Sequence, residues 1–188
     1  MMKTKLLLIS LLLSLTLSSN AQSLTGKTWY CYLGTSPEGL KSSFSAQFEK
    51  NGTCEFLIIM TIPSSVTKQV MPSDYKNFDL TCTVEVSVDA TYKMKGKDII
   101  AYSFNKKKDT QVFIDVELEG PGLSGEVKKK SENAVKNILY DKLDENLFIE
   151  VLDDIMPEKG EFKINHLYDD SMELENDIDS YSFDVIDD

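Results

Sequence analysis

The three cysteines are the residues of this sequence that could take part in the most kinds of chemistry, from disulfide formation to metal binding. Cys31, Cys54 and Cys82 allow one disulfide and one free thiol, or no disulfide at all. Their spacings are too wide for a Cys-x-x-Cys motif, so no zinc site is expected. All three fall on apolar faces of predicted strands, which favours buried thiols that act as small hydrophobic side chains. Two alternatives stay open: a Cys54–Cys82 disulfide between neighbouring strands, and a reactive thiol, which burial disfavours because it raises the thiol pKa.

The sequence lacks the groups of histidine and carboxylate residues that catalytic or metal-binding sites usually need. His166 is the only histidine, and without a second histidine or clustered cysteines neither metal-dependent nor Ser-His-Asp catalysis is supported. Alternation with Ile164 predicts a partly buried, structural His166. No phosphate-binding glycine loop and no Gly-x-Ser-x-Gly motif is present. The acidic segment near the end lacks EF-hand spacing, so we interpret it as a solvated edge: Asp169, Asp170, Glu173, Glu175, Asp177 and Asp179. We therefore expect no enzyme, no cofactor and no metal.

The balance of charge narrows the classes of partner. The chain has 20 basic and 31 acidic residues and a net charge of −11, and every basic residue is a lysine. Such an acidic surface repels nucleic acid and anionic lipid. We therefore expect neither as a partner.

The first 21 residues have the pattern of a secretory signal peptide. Two lysines precede an apolar run at 6–17, and Ser19 and Ala21 suit a cleavage before Gln22. The run is about 12 residues, whereas a membrane-spanning helix needs roughly 20. We expect cleavage near Ala21, a periplasmic or secreted protein without a membrane span, and a single domain over 22–188.

Alternation of apolar and polar residues predicts strands through the middle of the chain. In 78–94, "FDLTCTVEVSVDATYKM", every even position is apolar or aromatic, as in a strand with one buried face. Seventeen residues is long for one strand, so we expect a bend near Asp89–Ala90. The segments 98–105 and 111–118 repeat the pattern, and "KGK" at 95–97 predicts a tight turn.

The segment "FEKNGTCEF" at 48–56 predicts a hairpin whose register can be derived. A two-residue turn would place Phe48 opposite Glu55, whereas the three-residue loop Lys50-Asn51-Gly52 places Phe48 opposite Cys54. Only the longer loop keeps the apolar residues of both strands on one face. We therefore predict Gly52 in the left-handed conformation of a bulged hairpin.

Helical spacing replaces the alternation late in the chain. It predicts a helical insertion over about 123–156, with a second short helix at Leu147–Met156 that Pro157 ends. Three closing strands are predicted at 161–167, 171–176 and 180–186. About nine strand segments and tight turns in one domain indicate a mostly β fold, a closed antiparallel barrel of about eight strands.

Several stretches resemble the small secreted lipocalin-like proteins of bacteria, within the calycin group. They are "LTGKTWY", "FSAQFEKNGT", "ATYKMKGKDIIAYSF" and "FKINHLYDDSMELEN". The resemblance implies an up-and-down barrel with Trp29 packed across its closed end. Alternation places Trp29 inward with Cys31 and Leu33. Because the chain has no arginine to stack on this ring, we expect a lysine stem or the segment near Tyr181–Val185 to cover it.

The resemblance also implies a ligand cavity, and hence binding of a small hydrophobic ligand without catalysis. Inward aromatic residues would line such a cavity or simply fill the barrel: Phe44, Phe48, Phe56, Tyr92, Tyr102 and Phe104. The alternative is a protein-interaction or accessory module of the cell envelope with a filled barrel. Its binding surface would be the inserted helix or the long connection at 62–77.

Overall fold

The structure, a computed structural model, describes residues 24–142 and 145–186, so the predicted signal peptide at 1–21 lies outside the described residues. The described part of the chain contains nine strands: β1 (Thr28–Thr35), β2 (Lys41–Phe48), β3 (Thr53–Ile62), β4 (Asp79–Lys95), β5 (Ile99–Ser103), β6 (Thr110–Glu119), β7 (Lys159–Leu167), β8 (Ser171–Glu175) and β9 (Ser180–Ile186). It also contains three α-helices: α1 (Ser64–Val70), α2 (Gly125–Lys142) and α3 (Glu145–Ile155).

Eight of the strands close into an antiparallel barrel, which confirms the predicted fold class. Neighbours pair in the order β1, β2, β3, β4, β5, β7, β8, β9, and β9 returns to β1. The alternating apolar residues point inward and are buried, as on β4 from Leu80 to Ala90. Burial of this face is the main driving force for closing the sheet.

Strand β4 changes partner halfway along its 17 residues. One edge pairs with β3, and the other pairs with β6 up to Val88↔Thr110 and with β5 from Thr91↔Ser103. The change falls at Asp89–Ala90, where the sequence predicts a bend; the bend itself stays a prediction. Because β5 takes the place beside β4 in the barrel ring, β6 lies outside that ring with one edge left over.

Helix α2 covers the outer edge of β6. The backbone amide of Ile114 donates to the Tyr140 hydroxyl at 3.0 Å, and that of Leu118 donates to the Glu132 carboxylate at 3.1 Å. An uncovered strand edge is a template for aggregation. The predicted helical insertion therefore protects the one strand that the barrel does not enclose.

The first hairpin has the predicted register. Phe48 lies opposite Cys54, and the amide of Glu49 donates to the carbonyl of Thr53 at 2.8 Å. Gly52 has a φ of 86°, the left-handed conformation that the three-residue loop requires. The Asn51 side chain accepts a hydrogen bond from the Thr53 amide at 2.9 Å, which stabilises the turn.

Trp29 is fully buried at the end of the barrel where β1 begins. Its indole N–H donates to the carbonyl of Leu24 at 2.9 Å. The Lys27 ammonium lies 5.5 Å from the centre of the ring, and Val185 lies opposite Trp29 on β9. A lysine and the segment of the last strand thus both cover the tryptophan, as expected for a chain without arginine.

The expectation that Leu33 points inward is wrong. Leu33 is 36% exposed, while Trp29 and Cys31 on the same strand are buried. The register of β1 against β2 shifts between Tyr32 and Gly34. One extra residue at such a bulge reverses the faces beyond it, and a bulge cannot be read from the alternation alone.

Helix α3 packs across the end of the barrel opposite Trp29. Leu152 and Met156 are fully buried. The carbonyl of Ile155, in the last turn of α3, accepts hydrogen bonds from the side-chain Nδ2 of Asn176 at 2.8 Å and from the Tyr181 hydroxyl at 3.2 Å. These bonds satisfy a carbonyl that has no partner within the helix and attach α3 to β9.

The connection at 62–77 is more ordered than a simple loop. It contains α1 and a 3-10 turn at Ser73–Tyr75, neither of which was predicted. The amide of Leu80 donates to the Ser64 hydroxyl at 3.1 Å, and Met71 is buried against the core. Helix α1 is therefore stabilised by contacts with β4, whose residues are distant from it in the sequence.

Substituting Trp29 with alanine is expected to lower the free energy of unfolding by about 3–5 kcal/mol, because the ring is fully buried. Equilibrium denaturation followed by circular dichroism measures the loss. Lys27→Met keeps the stem over the ring and removes only the ammonium, so it should cost less than about 1 kcal/mol. A loss below about 1 kcal/mol for Trp29→Ala would contradict the structural role of the tryptophan.

Candidate functional site

The structure brings the predicted inward aromatic residues into one packed group, and all but the partly buried Tyr92 are buried. The ring centres of Phe44 and Phe56 are 5.8 Å apart, and those of Phe56 and Tyr102 are 5.7 Å apart. Phe48 packs edge-on against Tyr92 at 5.0 Å. Phe104, the residue directly after β5, is also buried. Their proposed contact with a ligand stays a prediction.

Three further aromatic residues complete this group, and the sequence reasoning missed them as site residues. Phe162 stacks on Tyr102 with ring centres 4.9 Å apart, and Tyr181 and Phe183 meet Phe44 at 5.6 and 5.4 Å. All three lie at inward positions of predicted strands, so alternation in the closing strands was the signal that could have found them. Aromatic rings therefore pack against one another across the barrel interior.

Two neighbouring tyrosine hydroxyls differ in their hydrogen bonding. The Tyr181 hydroxyl donates to the carbonyl of Ile155, whereas the buried Tyr102 hydroxyl has no partner among the described residues. Burial raises the pKa of Tyr181 to about 12 and, with smaller contributions from Tyr181 and Asp177, also raises the pKa of Tyr102. Both phenols are therefore neutral near pH 7.

Gly160 makes room for the Tyr102 ring. The two residues lie opposite each other on β7 and β5, and a Cβ atom at position 160 would sit 2.4 Å from the Tyr102 hydroxyl oxygen. The contacted atoms all belong to the Tyr102 side chain, so this buried ring could make room only by disturbing its stacking on Phe162. A glycine at position 160 therefore lets the Tyr102 ring keep this place, and its hydroxyl is the one buried phenol that lacks a partner in the described part of the chain.

The cysteines are free and buried, and the alternative of a Cys54–Cys82 disulfide is wrong. Cys54 lies opposite Ala90 and Cys82 opposite Ile62, which separates the two thiols by eight positions along the same strand pair. At about 3.3 Å per residue this is about 26 Å, whereas bridged cysteines have Cα atoms within about 7 Å. Burial raises the pKa of Cys54 to about 12 and that of Cys82 to about 11.

His166 lies on the surface, which corrects the prediction of a partly buried side chain. Its side chain is 63% exposed, its Nε2 atom lies 3.9 Å from a carboxylate oxygen of Glu173, and its ring stacks on Tyr168. The register of β7 against β8 shifts between Ile164 and His166. This second bulge turns His166 away from the face that Ile164 occupies. Among the described residues no group of histidine, cysteine and carboxylate side chains is arranged to hold a metal.

A cleft of about 400 Å³ lies at the α3 end of the barrel, and we name it the mouth cleft. It opens between α3, the loop that joins β1 to β2, and the inner face of β3. Its lining is mostly apolar: Leu33, Gly34, Thr35, Ser36, Leu40, Ser42, Ile58, Met60, Val151 and Ile155. The bulge that exposes Leu33 thus also places this side chain in the cleft wall.

The mouth cleft is built directly above the aromatic group. Ser42 lies opposite Met60, and one layer deeper Phe44 lies opposite Ile58. At the rim the Ser36 hydroxyl donates to the Glu38 carboxylate at 2.8 Å, and this bond lowers the pKa of Glu38. Of the predicted ligand-binding residues, Phe44 is therefore the one on the strand segment beneath the cleft.

A larger groove of about 790 Å³ lies where β4 changes partner, beside Asp89 and Ala90. Its wall includes Phe104 and Cys54, but also the carboxylates of Glu49, Glu55, Asp89 and Asp109. These charges make the groove a poorer site for an apolar molecule than the mouth cleft, whose lining contains no charged residue. The mouth cleft is therefore the better candidate site for a hydrophobic ligand, although it is the smaller of the two.

The architecture defines the class of the protein as a closed eight-stranded antiparallel β-barrel, compatible with a lipocalin-like, calycin-type fold. No protein-family model matches the chain, and no curated protein matches it. In the described residues, helices that are both long and apolar enough to cross a membrane are absent. The function is therefore argued from the site itself.

The buried thiols are expected to resist alkylation in the folded protein. With pKa values of about 12 and 11, Cys54 and Cys82 hold almost no thiolate at pH 8. Iodoacetamide followed by peptide mass mapping, which distinguishes these two residues from Cys31, should leave both unmodified in buffer and alkylate both in denaturant. Rapid alkylation of either residue in buffer would contradict the buried environment, and the denatured sample controls for reagent activity.

Removing the hydroxyl group of Tyr102 or of Tyr181 is expected to change the free energy of unfolding differently, either in sign or in size. Tyr102→Phe removes a buried hydroxyl without a partner and should leave the free energy of unfolding unchanged or raise it. Tyr181→Phe removes the bond to Ile155 and should lower it by about 1 kcal/mol. Equilibrium denaturation compares the matched pair. A larger loss for Tyr102→Phe than for Tyr181→Phe would show that the Tyr102 hydroxyl has a partner.

Proposed function

We propose that this chain is a secreted or periplasmic lipocalin-like protein that binds a small hydrophobic ligand and does not catalyse a reaction on it. The mouth cleft carries the proposal, because it is concave, mostly apolar and open at one end of a rigid barrel. Export is supported by the signal-peptide pattern of residues 1–21. The lipocalin-like assignment is supported by the barrel and by the sequence resemblance.

The size and lining of the mouth cleft suit a small apolar molecule. Its volume of about 400 Å³ falls in the range of ligand pockets, about 300–1,000 Å³. Leu40, Ile58, Met60, Val151 and Ile155 supply apolar contact. The hydroxyls of Ser36 and Ser42 supply a few polar contacts that can orient the ligand.

The packed aromatic group gives the cleft a firm base. Phe44 touches Phe56, Phe162, Tyr181 and Phe183 through ring contacts of 5.4 to 6.5 Å. Such interlocked rings resist collapse of the space above them. In this proposal Phe44 supports the bound ligand from below, and the deeper rings hold the barrel in shape.

The second candidate is a protein-interaction or accessory module of the cell envelope with a filled barrel. The packing of rings across the interior favours it, and so does the exposure of Tyr32 beside Leu33 at the bulge of β1. Exposed aromatic side chains are common at protein interfaces. The two candidates differ in what travels with the purified protein: a small molecule or a protein partner.

Protein purified from its own host is expected to carry a small molecule that native mass spectrometry detects and denaturation removes. Ser42→Trp should abolish this extra mass and weaken binding of the neutral fluorescent probe N-phenyl-1-naphthylamine at least ten-fold. The reason is that the indole would occupy the cleft that Ser42 lines.

Ser182→Trp is the matched control, since Ser182 is an exposed serine on β9 outside the mouth cleft. Circular dichroism checks that both variants fold. Bare wild-type protein that binds no probe, together with a protein partner recovered by crosslinking, would favour the second candidate. Equal probe binding by the wild type and Ser42→Trp would place the ligand elsewhere.

A further inference from the structure

The rim of the mouth cleft carries negative charge on two sides. Glu38 lies in the β1–β2 loop between the lining residues Ser36 and Leu40, and its carboxylate is held by the Ser36 hydroxyl. Asp154 is exposed on α3, three residues after the lining residue Val151 and next to Ile155. Residues three apart on a helix are neighbours on its surface. The two carboxylates therefore flank the apolar walls.

The end of α3 adds to this negative potential. The C-terminus of a helix carries a partial negative charge, which basic side chains usually offset. The last turn of α3 has no basic residue and instead contains Asp153 and Asp154. Asp153 pairs with Lys106, whereas Asp154 forms no ion pair among the described residues. Asp154 is therefore the carboxylate of this turn that no basic side chain offsets in the described part of the chain.

No lysine is among the residues that line the mouth cleft. The nearest in sequence is Lys41, which begins β2 with an exposed side chain, on the opposite face of the strand from the lining residue Ser42. Lys106 is engaged with Asp153. A ligand with an anionic head would thus meet two carboxylates and a helix C-terminus in a protein of net charge −11.

We infer that the ligand of the mouth cleft is an amphiphile with an apolar body and a cationic head, such as an alkylammonium compound. This inference rests on the proposed binding function and adds the chemical class of the ligand. The apolar body lies against Ile58, Met60 and Ile155, and the head lies at the rim between Glu38 and Asp154. Neither carboxylate needs to leave water, so the charges select among ligands while apolar contact provides most of the affinity.

The test compares three compounds with the same ten-carbon chain: decyltrimethylammonium, decanol and decanoate. Isothermal titration calorimetry at low salt, below the concentrations at which they aggregate, should rank their affinities in that order, with decanoate at least ten-fold weaker than decyltrimethylammonium. Raising the salt concentration should reduce the difference, since salt screens exposed charges. If decanoate or decanol binds as tightly as decyltrimethylammonium, the inference is overturned while the proposed binding function stands. If none of the three binds, the proposed function itself fails.

Glu38→Gln tests whether the preference for a cationic head arises at the rim, because glutamine keeps the size of the side chain and removes its charge. It should lower the ratio of decyltrimethylammonium affinity to decanol affinity about three-fold, the size of one exposed charge interaction, and Asp154→Asn should act alike. Glu85→Gln makes the same change in net charge on the outer face of β4, where Glu85 lies opposite Phe113. An equal change of the ratio in Glu85→Gln would show that net charge, and not the rim, selects the ligand.

Discussion

The pairing of β4 is the constraint on which the rest of the structure depends. Its 17 residues hold β3 along one edge and two successive partners along the other. Giving the second half of that edge to β5 lets the barrel close through β7. Giving the first half to β6 leaves a strand outside the ring, and α2 covers its edge through Tyr140 and Glu132. After α2 the chain continues into α3, which lies over the mouth of the barrel.

The two ends of the barrel are closed by different means. At one end Trp29 is buried under Lys27 and bonded to the carbonyl of Leu24. At the other end α3 packs over the aromatic group and is attached through the carbonyl of Ile155. At the end of α3 Leu152 and Met156 are buried, but Val151, on the side that faces the β1–β2 loop, is only partly buried. The mouth cleft is the space left between α3 and the β1–β2 loop.

Apolar packing and charge act at different depths of this protein. Aromatic rings occupy the interior, and the buried thiols and phenols there are neutral because burial raises their pKa values. Among the described residues, charge is confined to the surface, and the carboxylates of Glu38 and Asp154 make the rim of the cleft negative. In the proposed function, the interior would set whether an apolar molecule can be held, and the rim would set which head group it carries.

Local periodicity was enough to predict the strands, the Gly52 hairpin and the helical insertion, because each depends on residues close together in sequence. The burial of Trp29 and of the inward aromatic residues followed from the same alternation. Only the tertiary structure shows that Leu33 and His166 are exposed. A one-residue bulge turns the side chains that follow it to the other face of the sheet, and the amino-acid sequence does not reveal where a bulge occurs. The tertiary structure also determines the distance between Cys54 and Cys82, the formation of helix α1 in the 62–77 connection, and the presence of the mouth cleft. Each of these depends on the register and packing of elements distant in sequence, which no single segment specifies.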